Sequence, residues 1–147
     1  MKWRVESRSG TWTVTDATIS GQSGLGIYGT ASDGVITWNL TDVTVSGNSG
    51  GGIYSYADDR RCGGYGTIRW TLTGVTVSGN SAAGSGGGLR CSYYRSGTNT
   101  WTLTDTTVSG NSAVGSGGGI YSNRGNWTLG NVTISGNLAG GDGGGIY

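Results

Sequence analysis

The chain has 147 residues, 33 of them glycine, no proline, phenylalanine or histidine, and a net charge of +1 from 9 basic and 8 acidic residues. Glycine without a three-residue period or proline excludes a collagen triple helix, and six Trp with eight Tyr at low charge argue against disorder. With Lys2 as the sole lysine there is no basic stripe for nucleic acid, and no segment approaches the ~20 apolar residues of a membrane helix.

The first residues, MKWRVESRSGTW, alternate charged or polar positions with others and contain no apolar run of signal-peptide length. From Trp12 the chain repeats one word: WTVTDATISGQSGLGIY, then WNLTDVTVSGNSGGGIY from Trp38, WTLTGVTVSGNSAAGSGGGLR from Trp70, WTLTDTTVSGNSAVGSGGGIY from Trp101 and WTLGNVTISGNLAGGDGGGIY from Trp127. Such periods mark a solenoid, a propeller or an array. The apolar residue near the end of each word, with Val5 aligned on Ile120, gives turns starting near 5, 27, 53, 89 and 120 and a last strand near 146. A single domain over 1–147, starting and stopping at the same point of the repeat, is expected.

Within each word T-W-T-L-T and V-T-V-S alternate with period 2, the pattern of strands with one buried face. The expected core stack is Trp12, Trp38, Trp70, Trp101 and Trp127 with Ile27, Ile53, Leu89 and Ile120, while Thr and Ser face out. Three short strands per turn, cornered at Thr-Asp, at Ser-Gly-Asn and after Ile-Tyr, describe an all-β, right-handed, single-stranded parallel β-helix of five full turns plus one strand. A propeller is the rival, but its antiparallel hairpins need two-residue turn words that this chain lacks.

The second corner carries Gln22, Asn48, Asn80, Asn111 and Asn137, an amide ladder in the making. The first carries Asp16, Asp42, Gly74, Asp105 and Asn131, turn residues whose stacked charges a cation could relieve, although no metal ligand set is assigned. After the inward Ile, the outward position reads Glu6, Tyr28, Tyr54, Arg90, Tyr121, Tyr147: a surface stripe with Arg90 placed to stack on two tyrosines, and a possible platform for sugar rings. Outward Thr13 and Thr15, Thr71 and Thr73, Thr102 and Thr104 resemble the hydroxyl arrays of ice-binding solenoids, an array broken at Asn39 and Gly130.

The segments 54–69 and 90–100 are read as two lateral loops, with Tyr56, Asp58, Asp59, Arg60, Arg61, Tyr65, Tyr93, Tyr94 and Arg95 as candidate interaction residues. Cys62 and Cys91 fall in them on adjacent turns, close enough for a disulfide and hence for an extracellular setting. Two cysteines without histidine build no structural zinc site. No paired carboxylates face a groove and no Ser-His-Asp or Cys-His set exists, so no catalytic residue, metal or cofactor is assigned and a non-enzymatic role is expected.

The pairing of GGGI[Y] with [VI]SGN resembles the GGA[I/L/V] and FxxN repeats of polymorphic outer-membrane proteins and related right-handed β-helix repeat proteins of bacterial surfaces. Gly52, Gly88, Gly119 and Gly145 stand where that pattern has Ala, and Val45, Val77, Val108 and Ile134 where it has Phe. The resemblance implies an extracellular or cell-surface passenger or adhesin and supplies no ligand. Neither end shows an evident polar cap. Trp3 and Val5 at one end and Ile146 and Tyr147 at the other are therefore candidate contacts for end-to-end self-association into a filament. An adhesin segment and a carbohydrate-binding module, taking a surface glycan or protein ligand, are the alternatives.

Overall fold

A computed structural model describes residues 3–6, 9–32, 34–57, 66–93 and 97–147, with the backbone path alone at 3–6. Among them there is no helix, so none is long and apolar enough to cross a membrane. The first turn is β1 (Trp3–Glu6), β2 (Gly10–Thr15) and β3 (Thr18–Ser20); the second is β4 (Ile27–Ala31), β5 (Gly34–Thr41) and β6 (Thr44–Ser46). The third runs β7 (Ile53–Ala57), β8 (Gly66–Thr73), β9 (Thr76–Ser78) and β10 (Ser81–Ala82), and the fourth β11 (Leu89–Tyr93), β12 (Thr98–Thr104), β13 (Thr107–Ser109) and β14 (Ser112–Ala113). The fifth has β15 (Ile120–Ser122), β16 (Asn126–Gly130), β17 (Thr133–Ser135) and β18 (Leu138–Ala139).

Each strand pairs in parallel with its counterpart one turn away, so the chain is a parallel β-helix. Sheet A stacks β1, β4, β7, β11 and β15; sheet B stacks β2, β5, β8, β12 and β16; sheet C stacks β3, β6, β9, β13 and β17. A fourth sheet, β10, β14 and β18, exists only in the last three turns. Its cause is an insertion: Leu89, Ile120 and Ile146 lie nine positions after Asn80, Asn111 and Asn137, whereas Ile27 and Ile53 lie only five after Gln22 and Asn48. The expectation of three strands per turn thus holds for the early turns and gains a short fourth strand in the later ones.

The register of the first turn differs from the expected one. Trp3, not Val5, pairs with Ile27, and Val5 pairs with Gly29. A shift of two residues leaves every side chain on the same face, so the period-2 pattern could not detect it. Arg4, rather than Glu6, is consequently the backbone partner of Tyr28.

The interior is built from columns of like residues. Trp38, Trp70 and Trp101 are fully buried, with ring planes 5.0 and 4.9 Å apart by centroid and inclined by only 4° and 10°. Trp127 continues the column at 4.8 Å, while Trp12, in the first turn, is 40% exposed and tilted by 29° from Trp38. Ile27, Ile53, Leu89 and Ile120 form a second buried column, and Val14, Leu40, Leu72 and Leu103 a third. Burying each large apolar side chain is worth roughly 1.5–3 kcal/mol, realised only when the neighbouring turn is present.

Candidate functional site

The corners set where every outward side chain points. Asp16, Asp42, Asp105 and Asn131 adopt positive φ between 49° and 53°, with Gly74 at 64° in the same register. Asp and Asn tolerate this region better than most residues, and Gly74 stands where the Asp42 carboxylate would collide with a Cβ. At the next corner Gly21, Gly47, Gly79, Gly110 and Gly136 hold φ of 60° to 65° and turn the following amide inward.

The amide ladder that results is continuous. Asn48 Nδ2 donates to Asn80 Oδ1 at 2.9 Å, Asn80 Nδ2 to Asn111 Oδ1 at 3.0 Å, and Asn111 Nδ2 to Asn137 Oδ1 at 3.0 Å. Each of these acceptors also takes the backbone N–H of the asparagine before it, and Asn48 Oδ1 takes that of Gln22 at 3.0 Å. The second amide hydrogens of Asn48, Asn80, Asn111 and Asn137 go back to the carbonyls of Ile19, Val45, Val77 and Val108. Gln22, one methylene longer, turns its amide to Ser20 O at the exposed first turn instead.

Facing the indole column across the interior is a row of small residues on sheet A: Gly29, Ser55, Cys91 and Ser122. Their size leaves room for the indoles; a Cβ at Gly29 would lie 2.8 Å from Trp38 Nε1. Trp127 Nε1 donates to Ser122 Oγ at 2.7 Å, whereas the indole nitrogens of Trp38, Trp70 and Trp101 have no conventional hydrogen-bond partner. Ser55 Oγ donates to Asn99 Oδ1, and Asn99 Nδ2 to Ser92 O at 2.8 Å, a buried polar cluster absent from the expected site residues. Period 2 from Trp101 back through Asn99 placed it inside, as it does Ile36 and Ile68.

Cys91 belongs to this interior row. The thiol is free and fully buried, and burial pushes its pKa up to about 12, only partly offset by the nearby Trp101 and Ser122 side chains. The expected position in a lateral loop is therefore corrected, because Leu89 and Cys91 share strand parity and Leu89 points in. Cys62, the expected partner, lies outside the described residues. So do Asp58, Asp59, Arg60, Arg61, Tyr65, Tyr94 and Arg95. Tyr56 sits on β7, and Tyr93, on β11, packs against the core and under the Arg124 guanidinium at 5.7 Å, so neither is a loop residue.

The outward stripe of sheet A is the richest surface. Its column runs Tyr28, Tyr54, Arg90 and Tyr121, with Tyr147 stacked on Tyr121 at 5.6 Å and 10° and Arg4 the backbone partner of Tyr28. Tyr28 and Tyr54 are 5.3 Å apart, and Tyr56 meets Tyr54 at 6.3 Å. The Arg90 guanidinium lies over Tyr54 at 4.7 Å and 5.8 Å from the Tyr121 ring. Burial raises the Tyr54 phenol pKa, with Arg90 opposing it. Trp3 and Val5 of β1 pair with Ile27 and Gly29 of β4, and Ile146 bridges Ile120 so that sheet A closes on Ile146 and Tyr147, both half-exposed.

The repeat of Chlamydia polymorphic membrane protein matches residues 74–92, 105–123 and 131–147. Each matched segment contains one strand of the fourth sheet, β10, β14 or β18. No match is found among curated proteins or solved structures. The chain is a parallel β-helix that carries repeats of the Chlamydia polymorphic membrane protein type, a repeat protein like the polymorphic outer-membrane proteins.

Proposed function

We propose that this chain is a non-enzymatic, extracellular structural β-solenoid whose coil is continued end to end by another coil of the same kind, copies stacking head to tail into a fibre. The observation that carries this reading is the apolar face of the last turn. Leu129 is 45% exposed and Ile146 52%, and a recess of about 150 Å³ opens between Ile120, Ser122, Trp127, Leu129 and Ile146. In every inner turn the equivalents of these residues are covered by the next turn. At the opposite end Trp12 offers the matching indole face.

The joint carries a constraint. Sheet A has five strands plus the Ile146 bridge, while sheets B and C have five strands each. Laying Trp12 of one copy on Trp127 of the next therefore requires β1 to replace the two-residue Ile146–Tyr147 segment. Five turns at ~4.8 Å then set an axial repeat of about 24 Å. Negative-stain images and sedimentation of the isolated chain test this: fibres that disappear in Leu129→Lys support it, and a monomer at every concentration overturns it.

A second reading, a segment of a cell-surface adhesin passenger, is favoured by the polymorphic-membrane-protein repeats. In it the same face is covered by a further coil of a longer polypeptide, and the isolated chain stays monomeric. The third, sugar stacking on an aromatic platform, is weakened by the geometry, because the tyrosine faces of the stripe are covered by one another and by Arg90.

A further inference from the structure

We propose that the outward face of sheet A is a binding site for an anionic glycan, with Arg90 taking a carboxylate or sulfate group of the chain. Arg90 is the midpoint of the tyrosine stripe, and its guanidinium is held over the Tyr54 and Tyr121 rings. Among the described residues it has no carboxylate partner, and its buried Nε has no hydrogen-bond partner. An aromatic sandwich fixes the plane of the guanidinium without neutralising its charge, the arrangement that suits a planar, bidentate anion.

The surroundings select the class of anion. Stacked rings keep their edges free, so Tyr121 sets a phenol group, which can both donate and accept, beside the Arg90 guanidinium. One fixed cation among hydroxyls suits a hydroxyl-rich polymer that carries charge at intervals. A net charge of +1 supplies no broad field to attract a dense polyanion such as nucleic acid. The site lies on the side of the coil, so it is independent of whether the ends join.

The structural alternative, that Arg90 only fills a rung of the stack, is separable by substitution. Arg90→Tyr keeps an aromatic rung and removes the charge; Arg90→Lys keeps the charge and removes the planar fork. The probes are oligogalacturonate, sulfated dextran oligosaccharide, neutral dextran of equal length and a poly-glutamate peptide, measured by calorimetry at low salt. Wild type is expected to bind one of the two anionic oligosaccharides about tenfold more tightly than neutral dextran, the worth of one charge-assisted contact. Added salt should erase that margin, Arg90→Tyr should lose it while melting like wild type, and Arg90→Lys should keep only part of it. Equal affinity for charged and neutral chains, retention of the preference in Arg90→Tyr, or a stronger preference for poly-glutamate would each overturn the proposal. A failure here leaves fibre formation untouched, and the absence of fibres leaves this site untouched.

Discussion

Replacing Asn80 by alanine isolates the ladder from the apolar columns. Its side chain accepts from Asn48 N at 3.0 Å and Asn48 Nδ2 at 2.9 Å, and donates to Val45 O at 2.9 Å and Asn111 Oδ1 at 3.0 Å. All of this is inaccessible to solvent, so water cannot replace what is lost. At about 1 kcal/mol net per hydrogen bond the loss is about 4 kcal/mol, a large part of the ~5–15 kcal/mol stability of a typical domain. Gln22→Ala, at the exposed first rung, loses a solvent-accessible bond to Ser20 O, where water can replace the lost partner, and should cost about 1 kcal/mol or less. Urea unfolding at 25 °C followed by tryptophan fluorescence measures both. If Asn80→Ala and Gln22→Ala destabilise equally, the ladder is not a major stabiliser and this account of the corner is wrong.

Glycine substitutions should divide by what surrounds them. A Cβ at Gly88 would sit 2.6 Å from Gly119 O and 2.9 Å from Asn111 Nδ2, backbone and ladder atoms that cannot both retreat, so Gly88→Ala should lower the melting temperature sharply. Gly21→Ala, with nothing within 4 Å and a φ of 65°, should cost only the ~1–2 kcal/mol of left-handed backbone strain, read in the same thermal melts. Cys91 should resist iodoacetamide at pH 8 in the native state and react only on unfolding, since its folded pKa is about 12. Because the unfolded thiol ionises first as pH rises, stability should fall between pH ~9 and ~12 in wild type, and less so in Cys91→Ser, as pH-dependent urea titrations will show.

The columns Trp, Ile and Leu and the two corners were legible because strand parity and the repeat fix them independently of register. Strand parity also carried Cys91 and Asn99 inward. Both were read as loop residues because the segments that hold them differ in length from turn to turn. The two-residue slip of β1 was invisible for a physical reason: a shift by two changes partners but not faces, and only backbone pairing distinguishes Trp3 from Val5 opposite Ile27. The small fourth sheet was hidden in Ser-Ala and Leu-Ala pairs, too short to show a period. The row Gly29, Ser55, Cys91 and Ser122 has no common residue type; what unites it is the volume of the indoles opposite, a property of packing between sheets.

The stripe, the ladder and the end face all depend on one register, and the indole column reports it most directly. Proton–proton Overhauser contacts among assigned indoles should link Trp70 to both Trp38 and Trp101, and Trp101 to Trp127, matching ring centroids 5.0, 4.9 and 4.8 Å apart. A chain of contacts in that order, with none between Trp38 and Trp101, is the predicted result. Contacts that skip a turn, or indoles with no tryptophan neighbour, would contradict the coil.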